Sequence, residues 1–185
     1  MLYKKAKFRR TIGTQLEHSD FFLTDERCVP FGDANSNYSM IIDNLFNNVV
    51  IKNFSQMDVD SGNLVLAADR YSSLIPEVVD VILLSMGEDG HIASLFPHMP
   101  AVSENRIKVV PVTAPKAPFQ RLTITPRVIK SAKQVYVLAF GKEKRRKYEE
   151  ALLNPEDISS IPARLVLDRE WIFDLEDAVK ICEKL

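Results

Sequence analysis

Only two cysteines occur in 185 residues, Cys28 and Cys182, far apart and in no metal-like spacing. That excludes a disulfide framework or a zinc ribbon as the source of stability. Two lone thiols fit reduced cysteines in a cytoplasmic protein. No apolar run approaches the ~20 residues that span a bilayer. The first ten residues are basic, but no apolar stretch follows as a secretory signal would need. The formal net charge is −1. A polybasic membrane binder or a nucleic-acid protein is therefore not expected. There is no Gly-x-Ser-x-Gly elbow for a serine nucleophile. His18, His91 and His98 form no His-x-x-x-His pair, so no metal site is expected. No internal repeat or linker divides the chain, which reads as one domain over residues 1–185.

What is present is strand and helix in alternation. Val78–Ser85 and Val135–Phe140 are apolar without alternation and rich in β-branched residues. Such runs fit strands covered on both faces, as in a parallel sheet. Asp20–Thr24, Arg106–Val112 and Arg121–Thr125 are further strands. Helices are predicted over Asn37–Phe46 behind a Ser36 N-cap, Leu64–Leu74, Lys142–Leu153, a short turn at Pro162 capped by Ser160, and Glu176–Lys184. The pattern predicts an α/β layered fold with a mostly parallel sheet, in which ligands bind beyond the carboxyl ends of strands.

Three of those ends carry polar clusters. Asp25-Glu26-Arg27 follows the first strand, Gly87-Glu88-Asp89-Gly90-His91 the second, and Gly141-Lys142-Glu143-Lys144 the third. Asp89 and His91 are close enough for a carboxylate to orient an imidazole as a general base. The same spacing also fits a capped turn, with Asp89 starting a helix and His91 on the surface. Asp25 and Arg27 could bind hydroxyls and an anion, or form an ion pair in a solvated loop. Lys144 lies in the first turn of a helix, where anions are favoured, or is one exposed lysine in a basic run. Any hydrolysis here would use water activated by a base, without a metal.

Taken in order, these segments resemble the 6-phosphogluconolactonase family. The matching residues are Thr24–Pro30, Ser36-Asn37-Tyr38, Gly87–Pro97, Arg121–Thr125, Gly141-x-x-Lys144 and, more loosely, Leu165–Ala178. The resemblance implies a three-layer α/β/α Rossmann-like sandwich and hydrolysis of 6-phospho-glucono-1,5-lactone in the pentose phosphate pathway. The implied ligand is a small phosphorylated sugar lactone. His91 would be the base and Asp89 its orienting group. Arg27, Arg121 and Lys144 would hold the anionic substrate, with Asp25 positioning it or an arginine. Gly87 would also contact the substrate, N–H groups around Gly87–Gly90 are candidate oxyanion donors, and the resemblance implies no cofactor.

The related sugar-phosphate deaminases carry Glu where this chain has Phe96, and Tyr where it has Arg27, which favours the lactonase over an isomerase or deaminase. Family members begin with a strand, a helix, a second strand and a Gly-Gly-Ser-Thr-Pro-like loop around the phosphate. This sequence shows no such loop, and Leu2–Lys5 resemble the helix after it. The expectation is an N-terminally shortened domain with a weakened phosphate cradle, or a remnant that binds without catalysing.

Overall fold

The computed structural model describes residues 16–47, 49–60 and 62–174. Among the described residues, eight strands arrange in three groups. β1 (Asp20–Phe22) pairs in parallel with β3 (Asn53–Ser55). β4 (Val81–Ser85), β7 (Gln134–Leu138) and β8 (Glu170–Ile172) form a parallel sheet in the order β4-β7-β8, with Val81 opposite Gln134 and Tyr136 opposite Glu170. β2 (Asp25–Arg27), β6 (Gln120–Ile124) and β5 (Val109–Thr113) form an antiparallel sheet in that order. The expected mostly parallel sheet is thus joined by an antiparallel one. The segments expected at Arg106 and Arg121 hydrogen-bond as a pair, Val109 opposite Ile124. A short link joins them, which suits antiparallel pairing and not a crossover.

The helices follow local signals. α1 (Asn37–Ile41) starts where the Ser36 side chain accepts from Ser39 N–H, and it continues as a π-helical turn over Ile42–Phe46. α2 (Leu64–Leu74) is capped by Asn63, whose side chain accepts from Val65 and Leu66 N–H. α3 (Pro126–Ser131) opens on proline, and α4 (Lys142–Leu153) follows Gly141, whose φ of +96° suits glycine. Ser160 does not cap the turn at Pro162–Val166. Its hydroxyl bonds the Asp157 carbonyl and receives Arg164 instead. The predicted helix at Glu176–Lys184 lies outside the described residues, as do Cys182 and the basic start of the chain.

The core runs through all three sheets. Ile82 and Leu84 of β4 and Val135 and Val137 of β7 meet Tyr148 and Ala151 of α4 and the small face of α2, Ala67 and Ala68. Each fully buried aliphatic side chain of this kind contributes roughly 1.5–3 kcal/mol. The expectation that β4 is covered on both faces does not hold. Its burial alternates, and Val81 and Leu83 are 54% and 52% exposed. A run of apolar residues cannot by itself reveal which face is packed, because the period-two pleat is hidden when both faces are apolar. Among the described residues no helix is long and apolar enough to cross a membrane.

Candidate active site

β4 delivers the chain into a tight turn. Gly87 N–H donates to the His91 carbonyl at 2.8 Å and Gly90 N–H to the Gly87 carbonyl at 3.0 Å. Both donors are spent inside the turn, which removes them as oxyanion donors. Gly90 has φ +87°, and a Cβ there would lie 2.6 Å from Ile161 Cγ2. The turn is held from outside by Ala163 N–H, which donates to the Gly90 carbonyl at 2.9 Å. No helix begins at His91. Asp89 Oδ1 accepts from His91 N–H at 3.2 Å and faces the imidazole Nδ1 at 2.5 Å.

A carboxylate can only accept, so the Nδ1 proton points to Asp89 and Nε2 keeps its lone pair. Burial alone would raise the Asp89 pKa, but the His91 ring bond, the imidazole's charge and the His91 N–H outweigh it and hold the carboxyl at about 2. The group therefore stays ionised wherever the imidazole could work as a base. Its folded pKa lies below the usual 3.8, so its stabilisation is present above that value and lost as pH falls through about 2. The Asp89 side chain is 45% exposed, so screening reduces the gain to on the order of 1 kcal/mol. Asp89→Asn is expected to be less stable than wild type by about that amount at neutral pH. Chemical denaturation of both proteins should show the gap closing as pH drops from 3.8 towards about 2. A gap independent of pH would contradict the ionised pair.

Behind His91 the chain forms no regular element, only isolated bridges at Met86–Ile92 and Ile92–Leu95. Ala93 takes φ +49° and sends Ser94 inward. Ser94, 1% exposed, receives nothing from a histidine; its Oγ donates to Asp25 Oδ2 at 2.7 Å and its N–H to Thr123 Oγ1 at 3.0 Å. Phe96 is equally buried. Its ring lies 4.7 Å from the His91 ring, and the Arg121 guanidinium stands over it at 5.4 Å. Phe96 thus packs against both the imidazole and the guanidinium, which puts the two no more than about 10 Å apart, the sum of those distances.

Arg27 and Arg121 are direct cross-strand partners, as are Asp25 and Thr123. Like charges placed opposite each other on a sheet repel, and this pair is stranded in a partly dry place. Burial and the Arg27 charge both press the Arg121 pKa down, while Asp25 opposes them. Arg27 donates from Nη1 to the Asn35 carbonyl at 2.9 Å, and its buried Nε has no partner among the described residues. Arg121 Nε donates to the Pro118 carbonyl. Two close guanidiniums with an unspent buried donor form a site that an anion would relieve. Lys144 approaches from α4 and donates to Ser85 Oγ at 3.1 Å, at the end of β4 just before the turn. Asp25 and Arg27 thus belong to a short strand, β2, and not to a solvated loop, and Lys144 is not an idle surface lysine.

Several contributors were missed in the sequence. Ser85, Ser94, Asn37 and Glu26 meet their partners only through tertiary contacts, the Ser94–Asp25 pair across 69 positions. Glu26 is 2% exposed and accepts from Arg27, Asn37 and Tyr38 N–H groups and from the Ser36 hydroxyl. Bonds to a charged acceptor are each worth about 1.5–3 kcal/mol. Four of them offset the several kcal/mol that burying a carboxylate costs. Cys28, beside this group, is no nucleophile. Burial first, then Glu26 and Asp60, raise its pKa to about 11. A separate recess of about 380 Å³ is lined by Phe31, Gln56, Asp58, Val59 and Asp60. Its carboxylates and lack of a lining cation make it the wrong place for an anionic ligand.

An imidazole fixed by a carboxylate, an apolar wall and a guanidinium pair form a frame that can be compared with known proteins. Residues 1–173 match the family described as glucosamine-6-phosphate isomerases/6-phosphogluconolactonase. The chain belongs to that family. A 6-phosphogluconolactonase of Borreliella burgdorferi is 35% identical over 158 residues, covering 80% of this chain and 67% of the relative. The 6-phosphogluconolactonase of Pseudomonas aeruginosa is 34% identical over 154 residues, 78% of this chain and 64% of the relative. The chain thus spans about two thirds of the length of these relatives. The crystal structure of 6-phosphogluconolactonase from Thermotoga maritima superposes with a TM-score of 0.73 at 28% identity, covering 85% of this chain and 73% of that one. The α/β Rossmann-like fold expected for the family is the fold found. Within the family's matching segment, Phe96 places a buried aromatic ring against the His91 imidazole.

Proposed function

We propose that this family member hydrolyses 6-phospho-glucono-1,5-lactone to 6-phosphogluconate in the cytoplasm, with His91 as the general base. The observation that carries the reading is the Asp89–His91 pair, joined to the Arg27–Arg121 pair by the Phe96 ring that both His91 and Arg121 touch. The arginines bind the phosphate, with Lys144 a further cation at the β4 end. Binding the phosphate remote from the reacting carbonyl places that carbonyl near His91 Nε2. Nε2 takes a proton from water as the oxygen attacks C1. The tetrahedral intermediate collapses by breaking the bond from C1 to the ring oxygen, and the imidazolium returns its proton to that oxygen. Asp89 holds the tautomer and offsets the imidazolium charge during the step. The ester is strained and already reactive, so one base with good positioning is enough.

The test is acid release in a pH-stat from freshly generated lactone, compared with the unphosphorylated 1,5-lactone. The rate on the phosphorylated compound should exceed its spontaneous hydrolysis. Arg121→Met should lower kcat/KM for that compound by about 10–100-fold, the loss of one charge-assisted contact to phosphate, and leave the unphosphorylated lactone within about threefold. A wild-type rate equal to the spontaneous one would overturn the proposal.

A further inference from the structure

Glu26 sits in the site's sequence but not on its binding face. Successive residues of a strand point to opposite sides, so Asp25 and Arg27 share one face of β2 and Glu26 takes the other. It therefore cannot touch a ligand held by Arg27. Its two oxygens are filled: Oε1 accepts from Arg27 and Asn37 N–H at 2.7 Å each, and Oε2 from Tyr38 N–H at 2.7 Å and Ser36 Oγ at 3.1 Å. These bonds clamp β2 to the first turn of α1 across the loop between them. Both ends of that clamp touch the candidate site. The loop offers the Asn35 carbonyl to Arg27 Nη1 at 2.9 Å, and the first helical residue, Asn37, donates from Nδ2 to the Asp25 carbonyl at 2.8 Å.

We propose that Glu26 is a positioning residue: through the α1 turn it sets the Arg27 guanidinium, and so the affinity for the phosphate group. The proposal rests on reading the Arg27–Arg121 pair as the phosphate site. Glutamine in place of Glu26 keeps the shape but turns an amide donor towards N–H donors, so at least one oxygen's pair of bonds is lost. The clamp loosens and Arg27 loses its fixed acceptor at Asn35.

The experiment is a double-mutant cycle on binding of 6-phosphogluconate, read by titration calorimetry, with Glu26→Gln, Arg27→Met and the double variant. Glu26→Gln is expected to weaken binding about tenfold, and the double variant to bind no more weakly than Arg27→Met alone, because a residue acting through Arg27 has nothing left to position. Losses that multiply independently, or a Glu26→Gln protein that binds like wild type, would overturn the proposal. If Glu26→Gln does not fold, Ser36→Ala removes one of the clamp's four donors, and its smaller loss should likewise vanish on the Arg27→Met background; persistence there would overturn it. Binding without lactone turnover would separate the two readings: coupling in the cycle would keep Glu26 in its role while the hydrolytic reading failed.

Discussion

Replacing His91 with glutamine is expected to lower turnover of the phosphorylated lactone by about 10²–10⁴-fold, the usual contribution of a positioned general base. KM should stay within about threefold, since the imidazole's part in the proposed step is made at the transition state and the proposed phosphate contacts come from other residues, Arg27 and Arg121. Glutamine can still donate to Asp89, so the turn keeps its shape and the loss reports on the base. The residual rate should match what positioning alone supplies. The check is pH-stat kinetics with circular dichroism to confirm folding. A variant with wild-type turnover would remove His91 from the chemistry. Asp89→Asn should fall short of that loss, because the imidazole remains and only its tautomer and orientation suffer.

Gly87→Ala is the second large effect, and it reaches the base without touching it in the wild type. A Cβ on Gly87 would lie 2.2 Å from both Nδ1 and Cε1 of His91 and 2.8 Å from Asp89 Oδ1. No side chain tolerates such approaches, so the imidazole must swing away and break its bond to the carboxylate. A displacement on the order of 1 Å in a reacting group costs about 10²-fold in rate, and that loss in kcat is expected here. The stability cost should be modest, about 1–3 kcal/mol, because the ring is the movable end of a flexible side chain. Gly90→Ala offers the contrast. Its φ of +87° and the 2.6 Å approach to Ile161 make strain in the turn itself the main consequence. Thermal melts beside kcat for both variants distinguish the two glycines. A Gly87→Ala enzyme with undiminished kcat would mean that His91 does not work from the position seen here.

The three strand-end clusters were legible in the sequence because each is contiguous: an apolar run followed directly by charge, with glycine at two of the three, is a local pattern. α2 and α4 were legible to the residue, since Asn63, Pro76, Gly141 and Pro155 punctuate them. Other features could not be read. β2 carries no strand period in its three residues, Asp-Glu-Arg; they extend because β6 lies beside them. β3 and β8 are equally short and exist through pairing with β1 and β7. The candidate oxyanion donors around Gly87–Gly90 meet a similar limit: where an N–H points depends on how the turn closes, and the turn uses those of Gly87 and Gly90.

By itself the sequence determined the class of fold, the family, the order of the motifs and the candidates for a base and for anion-binding cations. Those depend on residue type and on spacing within one segment. Only the tertiary structure decided that Arg27 faces Arg121, that Phe96 packs against both the imidazole and Arg121, that Ser94 serves Asp25, and that Glu26 is buried and satisfied. Each of these is a contact between segments far apart in the chain, and strand register and side-chain packing select it among many that the same residues could have made.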